Sequence, residues 1–403
     1  MYRVSPFVRH FGLALLSGAG LATLWVNADP ASYYDAIEFR LADLPLPLWL
    51  APRGLSLTPV TLVSDGLMAL FTAFVAKELW EALVLERGAL SSGRARAPLG
   101  AVIGGSIGAV LVWLLVSALI ETAAEATPGA GWQVPIGSDV VLGYLVARRA
   151  FGAGHPALHL LLLMAIGFDI TGLVVLGLSD PDIGLRLVWL VLPMAAAAGV
   201  WALYGRPPAP GATERDRRRG LHLWPYVIAG LLSFAGVAAS GLPPALGLLP
   251  VIPAIPHADR SFGLFAEAEE YLHDPLNRLA HLMVRPLAVV LFLFGLTRGG
   301  IDLAAFAPTT LSVLAALWIG KPLGLMLGLI GAMAFLGARL PQGIGTRDLL
   351  LIAVILAMGF TVPVVALDPA LPGGAMTEAA RLGLALSLMA GPLALVLARR
   401  LRR

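Results

Sequence analysis

Several side chains in this sequence are ionisable yet sit inside hydrophobic runs. Asp139 in IGSDVVLG, Asp169 in IGFDITG, Lys321 in WIGKPLGLMLG and Glu78 in AKELWEALVLE stand out, with Asp65 in VSDGLMAL and Arg285 in LMVRPLAVV behind them. A charge at membrane depth is costly, so it faces a bundle interior or a wet cavity and is a candidate for binding or moving an ion. A carboxylate in such a place can hold a proton or a hard cation, which prefers oxygen ligands. A buried ammonium can balance that carboxylate or the carbonyl end of a helix. Asp169 is the sharpest case: MAIGFDITGLVVLG, Met164 to Gly177, carries no other charge and puts the bulky Phe168 directly before the acid. The competing reading is a structural acid that joins two helices.

The elements that position these groups follow from composition. Of 403 residues, 58% are hydrophobic and only 13% charged, about half the charged share of a soluble domain. Uncharged runs recur at Ala101 to Ile120, Leu187 to Gly205, Leu349 to Leu367 and Leu382 to Ala398. Each is close to the ~20 residues a helix needs to cross a bilayer. The chain therefore reads as an all-α polytopic membrane protein and not as an enzyme. Its first apolar run, Phe11 to Val26, lacks the small-residue cleavage pattern of a signal peptide. The absence of Cys excludes disulfides, thiolate metal sites and Cys nucleophiles. His155, His159 and His281 form no convincing ligand set, and nothing suggests a nucleic-acid partner.

Apolar runs between breakers predict twelve helices, near 10–27, 59–86, 98–121, 134–149, 157–178, 184–205, 222–240, 243–256, 279–297, 308–337, 348–367 and 377–398. With the N-terminus in the cytoplasm, twenty of the 28 basic residues fall at cytoplasmic ends and five at external ones. That bias places both termini in the cytoplasm. Leu44 to Leu57 reads as a short external β-hairpin, Arg260 to Arg278 as an interfacial or cytoplasmic helix, and Arg206 to Gly220 as a flexible loop. The glycines of Gly100 to Gly108 are packing surfaces between helices, not a phosphate loop.

Two of the twelve spans are interrupted. Gly137, Ser138, Asp139 and Gly143 break the fourth, and Gly359 and Pro363 break AMGFTVPVVAL, Ala357 to Leu367. A broken span exposes amide ends that suit an acid such as Asp139 and carbonyl ends that suit a base such as Lys321. Asp139 is equally placed to coordinate an ion directly. Lys321 is alternatively a titrating cation beside Asp169.

The sequence resembles the NhaA-type sodium/proton antiporter family. The resemblance is carried by VSDGLMALFTAFVAKELWEAL, PIGSDVVLGYLVARRAFG, LHLLLLMAIGFDITGLVVLGL, HDPLNRLAHLMVRPLA, WIGKPLGLMLG and ILAMGFTVPVVAL, in that order from about Thr61 to Leu367. It implies inverted repeats with two crossing discontinuous helices and exchange of Na⁺ or Li⁺ for H⁺ by alternating access. The family's threonine-aspartate matches Ser138 and Asp139, its lysine Lys321, and its broken eleventh span Gly359, Phe360 and Thr361. Of its two adjacent aspartates, the second is Asp169, but the first is Phe168. Its funnel glutamate looks like Glu78, although Trp80 and Glu81 follow where basic residues are expected.

The resulting expectations are specific. Asp169 binds the ion or the proton competitively, with Ser138, Thr171, Asp139 and backbone carbonyls as helpers and Lys321 compensating charge. Glu78 and Glu81 lie solvated at the cytoplasmic end, a funnel or pH-sensing role being the alternative. Arg285 serves structure beside a Pro286 kink. The chain divides into N-terminal scaffold (1–97), first core repeat (98–178), scaffold (179–307) and second core repeat (308–403). Besides lipid, the partner is a second copy in a homodimer, and no cofactor is needed beyond the transported ions. With one carboxylate in place of two, exchange is electroneutral. The alternatives are a protein that has kept the fold as a sensor or interaction partner, because Phe168 blocks the cation, or a transporter of another substrate.

Overall fold

A computed structural model describes residues 7–44, 55–84, 95–120, 129–152, 154–179, 186–206, 213, 218–257, 264–265 and 272–401. In chain order the long elements are α1 (Phe7–Ala28), α2 (Pro30–Ile37), β1 (Ala42–Leu44), β2 (Leu55–Leu57), α3 (Pro59–Val84), α4 (Arg96–Ile120), α5 (Val140–Phe151) and α6 (Pro156–Ser179). They continue with α7 (Leu187–Gly205), α8 (Trp224–Ser240), α9 (Pro275–Arg298), α10 (Pro308–Leu336), α11 (Thr346–Leu356), α12 (Thr361–Ala370), α13 (Gly374–Ser387) and α14 (Ala390–Leu401). Among the described residues, eight helical stretches are long and apolar enough to cross a membrane, and α11 with α12 make a ninth that bends by 44° at its break. This is a multi-pass, all-α membrane protein.

Starts and stops are written locally. Asp274 caps α9 by accepting from Asn277 N at 3.1 Å, and Thr58 with Thr61 forms a capping box on α3. Pro275, Pro59 and Pro308 occupy first-turn positions, where the missing amide costs nothing. β1 and β2 pair antiparallel with Asp43 opposite Ser56, as the expected hairpin requires, and residues 45–54 between them lie outside the described residues. Most of the 206–220 loop and of the 260–278 segment also lies outside them, and 275–278 turn out to be the first turn of α9.

The sequence reading needs correction at residues 243–256. The chain there forms two short 3₁₀ turns, Pro244–Leu246 and Leu249–Ala254, and not an α-helical span. Pro244, Pro250 and Pro253 withhold the amides an α-helix would need. Pro286, by contrast, sits inside a continuous α9, and Arg285 beside it is exposed on the helix surface.

Packing divides the helices into inside and outside. Some 72% of the apolar window of α6 is buried, against 11% for α7, so α6 is the hub and α7 presents Leu187, Val188 and Met194 outward. α4 and α10 run antiparallel with their backbones in contact. A Cβ on Gly100 would meet Gly328, one on Gly104 would meet Gly324, and one on Gly108 would meet Gly320. Glycines at four-residue spacing on both helices remove the side chains that would hold them apart. α1 meets α9 in the same way at Gly18 and Gly295.

Candidate functional site

The site forms where the fourth and eleventh spans are interrupted. After the turn Val134–Ile136 the backbone is extended at Gly137 and Asp139, and α5 begins at Val140. The second break runs from Ala357 to Phe360, and Pro363 lies in the first turn of α12. The two breaks touch: a Cβ on Gly137 would meet Val362 and Pro363 at 2.8 Å. Two helix N-termini, those of α5 and α12, therefore arrive together, and like poles repel.

Asp139 resolves that conflict. Its Oδ1 accepts from Leu142 N at 2.6 Å and its Oδ2 from Thr361 N at 3.1 Å, so one carboxylate caps both half-helices. The Thr361 hydroxyl lies beside the same group. Each oxygen already holds a backbone amide, which favours the capping role over direct coordination. On the opposite pole, Lys321 Nζ donates to the Gly137 carbonyl at 2.5 Å, the sign expected of a base at a carbonyl end.

Asp169 reaches this junction from the middle of α6. Its Oδ1 accepts from Ser138 N at 2.8 Å. Its Oδ2 is buried and has no hydrogen-bond partner, and the same is true of Ser138 Oγ. Buried oxygens are normally satisfied, so two uncommitted ones on adjoining elements mark a place for a proton or a cation. Asp169 also lies on the wall of a narrow cavity of about 20 Å³ between α6 and α12 on one side and Met68, Phe71, Thr72 and Val75 of α3 on the other. That volume admits about one water, and Asp169 is the one ionisable group among the residues lining it.

Phe168 points elsewhere. Its fully buried ring meets Gly105 of α4, and its centroid lies 5.1 Å from Lys321 Nζ. An ammonium at that range is attracted to the ring face. Lys321 is thus held by a carbonyl and an aromatic face rather than by an ion pair with Asp169, and Phe168 does not line the cavity. Thr171 is only half-buried and is not on the cavity wall. Two residues on from Asp169, it is turned about 200° around the helix, so it faces away.

Sequence reasoning missed one participant and gave another no role. Ser387 Oγ accepts from Gly359 N at 3.1 Å and donates to Leu384 O at 2.6 Å, serving the second break from α13. A serine in an apolar helix gives no sign of this in one dimension. Thr361 stood in the recognised GFT stretch, but only the fold brings it to Asp139.

Glu78 and Glu81 are not solvated, which corrects the surface placement. Both are 3% exposed and share Lys77, whose Nζ lies 3.1 Å from Glu78 Oε1 and 2.9 Å from Glu81 Oε2. Glu78 Oε2 also accepts from Phe265 N at 2.5 Å, and the Phe265 ring stacks on Phe74 at 5.6 Å. The end of α3 is covered because residues 264–265, remote in sequence, lie against it.

Residues 8–398 match the family described as Na⁺/H⁺ antiporter 1. The chain is 40% identical to the Na⁺/H⁺ antiporter NhaA of Jannaschia sp. (strain CCS1), covering 98% of this chain and 97% of that protein. It is 34% identical to the NhaA of Geobacter metallireducens and 32% identical to NhaA 2 of Pelobacter propionicus, again over 98% of this chain and 97% of each relative. A solved sodium proton antiporter, MjNhaP1 of Methanocaldococcus jannaschii, covers 97% of this chain and 95% of its own at 14% identity and a TM-score of 0.49.

Proposed function

Because this chain belongs to the Na⁺/H⁺ antiporter 1 family, we propose that it is a secondary transporter exchanging Na⁺ or Li⁺ for H⁺ by alternating access. The observation that carries the site assignment is the uncommitted, buried Oδ2 of Asp169 on the cavity wall. Oδ1 is fixed by Ser138 N, so the carboxylate is oriented while one oxygen stays open. A proton or a dehydrated alkali cation satisfies that oxygen, and the two exclude each other. Ser138 Oγ, buried and without a hydrogen-bond partner like Thr361 Oγ1, is the candidate second oxygen ligand, ahead of Thr171. Asp139 and Lys321 hold the crossing of the half-helices in place, and Glu78 with Glu81 forms a buried charge cluster with Lys77 at the far end of α3.

The membrane is the inner membrane of a bacterium, with both termini cytoplasmic, as the distribution of Arg residues supports. Residues 98–178 and 308–403 act as the ion-binding core and the remainder as scaffold, a second copy of the chain being the partner. The transported ions are its only small-molecule partners, and it catalyses no covalent reaction. Exchange is electroneutral, one proton per cation, because of the two carboxylates at the helix breaks, Asp139 and Asp169, Asp169 alone keeps an oxygen without a hydrogen-bond partner. The sensor alternative is weakened by the direction of the Phe168 ring, which leaves the Asp169 cavity clear.

Cation-induced proton flux in everted vesicles tests this reading with Na⁺, Li⁺ and K⁺, comparing the wild type with Asp169→Asn. Flux with Na⁺ or Li⁺ that falls to background in the variant is expected. Silence with every cation between about pH 6 and pH 9, where perturbed carboxylates and amines titrate, would sink it.

A further inference from the structure

Alternating access, the reading on which this inference rests, requires a contact on the external side that closes the cavity and can let go. We infer that the ion pair between Arg298 and Asp368 is that latch, fastening α9 to α12 while Asp169 faces the cytoplasm. Arg298 Nη1 pairs with Asp368 Oδ2. The two residues belong to the opposite sides of the cavity. Asp368 lies near the end of α12, whose Val362 and Val365 line one wall and whose first amide is held by Asp139. Arg298 Nε donates to Ser64 Oγ at 2.9 Å, which ties the guanidinium to α3, the source of the facing wall. Asp65, next in sequence, lies within the electrostatic field of the same guanidinium.

Exposure makes the pair reversible. The Arg298 side chain is 11% exposed and that of Asp368 is 49%. When the pair opens, Asp368 passes to water, while Arg298 keeps its bond to Ser64 and the longer-range attraction of Asp65. A fully buried pair would strand an uncompensated charge on opening, and a fully exposed one would hold almost nothing. The other nearby charges are already matched: Arg381 pairs with Glu378 at 2.8 Å on α13. The latch therefore joins the two walls of the ion cavity without drawing on the site itself.

The chain contains no Cys, so a single introduced thiol reports access without background. Met68 lines the cavity three residues inward from Asp65, and Met68→Cys is the reporter. A membrane-impermeant maleimide is added to right-side-out vesicles without Na⁺. The reporter alone is compared with the reporter carrying Asp368→Asn, Arg298→Gln or Asp368→Glu. The two neutral variants are expected to label about fivefold faster, the population shift that loss of one partly exposed pair produces. Asp368→Glu keeps the charge and is expected to label at the slow parental rate. Equal rates in parent and neutral variants would overturn the latch, as would Asp368→Glu labelling as fast as Asp368→Asn. Labelling needs no transport. Unchanged labelling in a protein that exchanges ions therefore removes the latch alone, whereas absence of flux in the wild type removes the antiport reading.

Discussion

Asp139 and Asp169 are both buried carboxylates close to the same break, and their hydrogen bonds separate them. Asp139 spends both oxygens on backbone amides, whereas Asp169 spends one. Asp139→Ala is expected to cost about 2 kcal/mol, since each lost cap is worth ~1 kcal/mol. Thermal unfolding in detergent would register the loss. Asp139→Asn keeps an accepting oxygen and should recover at least half of it. Phe168 poses the complementary test. Phe168→Asp puts a second carboxylate beside Lys321, 5.1 Å from the present ring centroid, and should make exchange respond to an imposed membrane potential. Proteoliposomes with a potassium diffusion potential would measure this. Wild-type exchange that is itself driven by the potential would refute the one-proton stoichiometry.

Among the elements, the contact between α4 and α10 is the most demanding, because three glycines on each helix leave no room for a methyl group. Gly104→Ala drives a Cβ into the Gly324–Gly328 backbone and should destabilise by about 1–3 kcal/mol, the usual cost of overpacking. Gly331→Ala lies on the same α10 but meets nothing within 4 Å. It should be neutral, or stabilising by up to ~1 kcal/mol from helix propensity. Unfolding midpoints of the two variants, measured side by side, separate backbone contact from propensity. If both lose stability equally, the glycine contact does not hold these helices together. At the other end of α3, Lys77→Met would leave Glu78 and Glu81 buried without their shared base. The cost should be several kcal/mol, as for other broken buried pairs, and is measurable as loss of folded protein on size exclusion.

For the whole molecule, the cavity at Asp169 is walled by α3 and a residue of the 3₁₀ turn, Ala245, on one side and by α6 and α12 on the other. Movement of one side against the other would change access to Asp169 without rebuilding the site, whose bonds join the break before α5 to α6, α10 and α12, with Ser387 of α13 bracing the second break. Ala245→Phe should fill the space and lower cation-dependent flux by about tenfold or more while the site bonds stay intact. A variant that transports normally would show that ions reach Asp169 by another route.

Much of this was legible in one dimension because membrane spans are written by composition: long uncharged runs must be helical, and a charge inside one must have a partner or a purpose. Asp139, Asp169 and Lys321 stood out on that ground alone, and the Gly–Pro interruptions marked both breaks. Glu78 and Glu81 read as solvated in one dimension because the fold buries them: Glu78 accepts from Phe265, 187 positions away, and both share Lys77. The 243–256 run was apolar enough for a span, but its prolines decided its geometry. What only the tertiary structure decided is how the marked groups are used. It gave one carboxylate two amide ends, gave the lysine a carbonyl and a ring, and left a single oxygen of Asp169 uncommitted. Apolar sequence makes polar groups conspicuous, but hydrogen bonds form between atoms brought together by the fold, and their count separates a structural acid from an ion site.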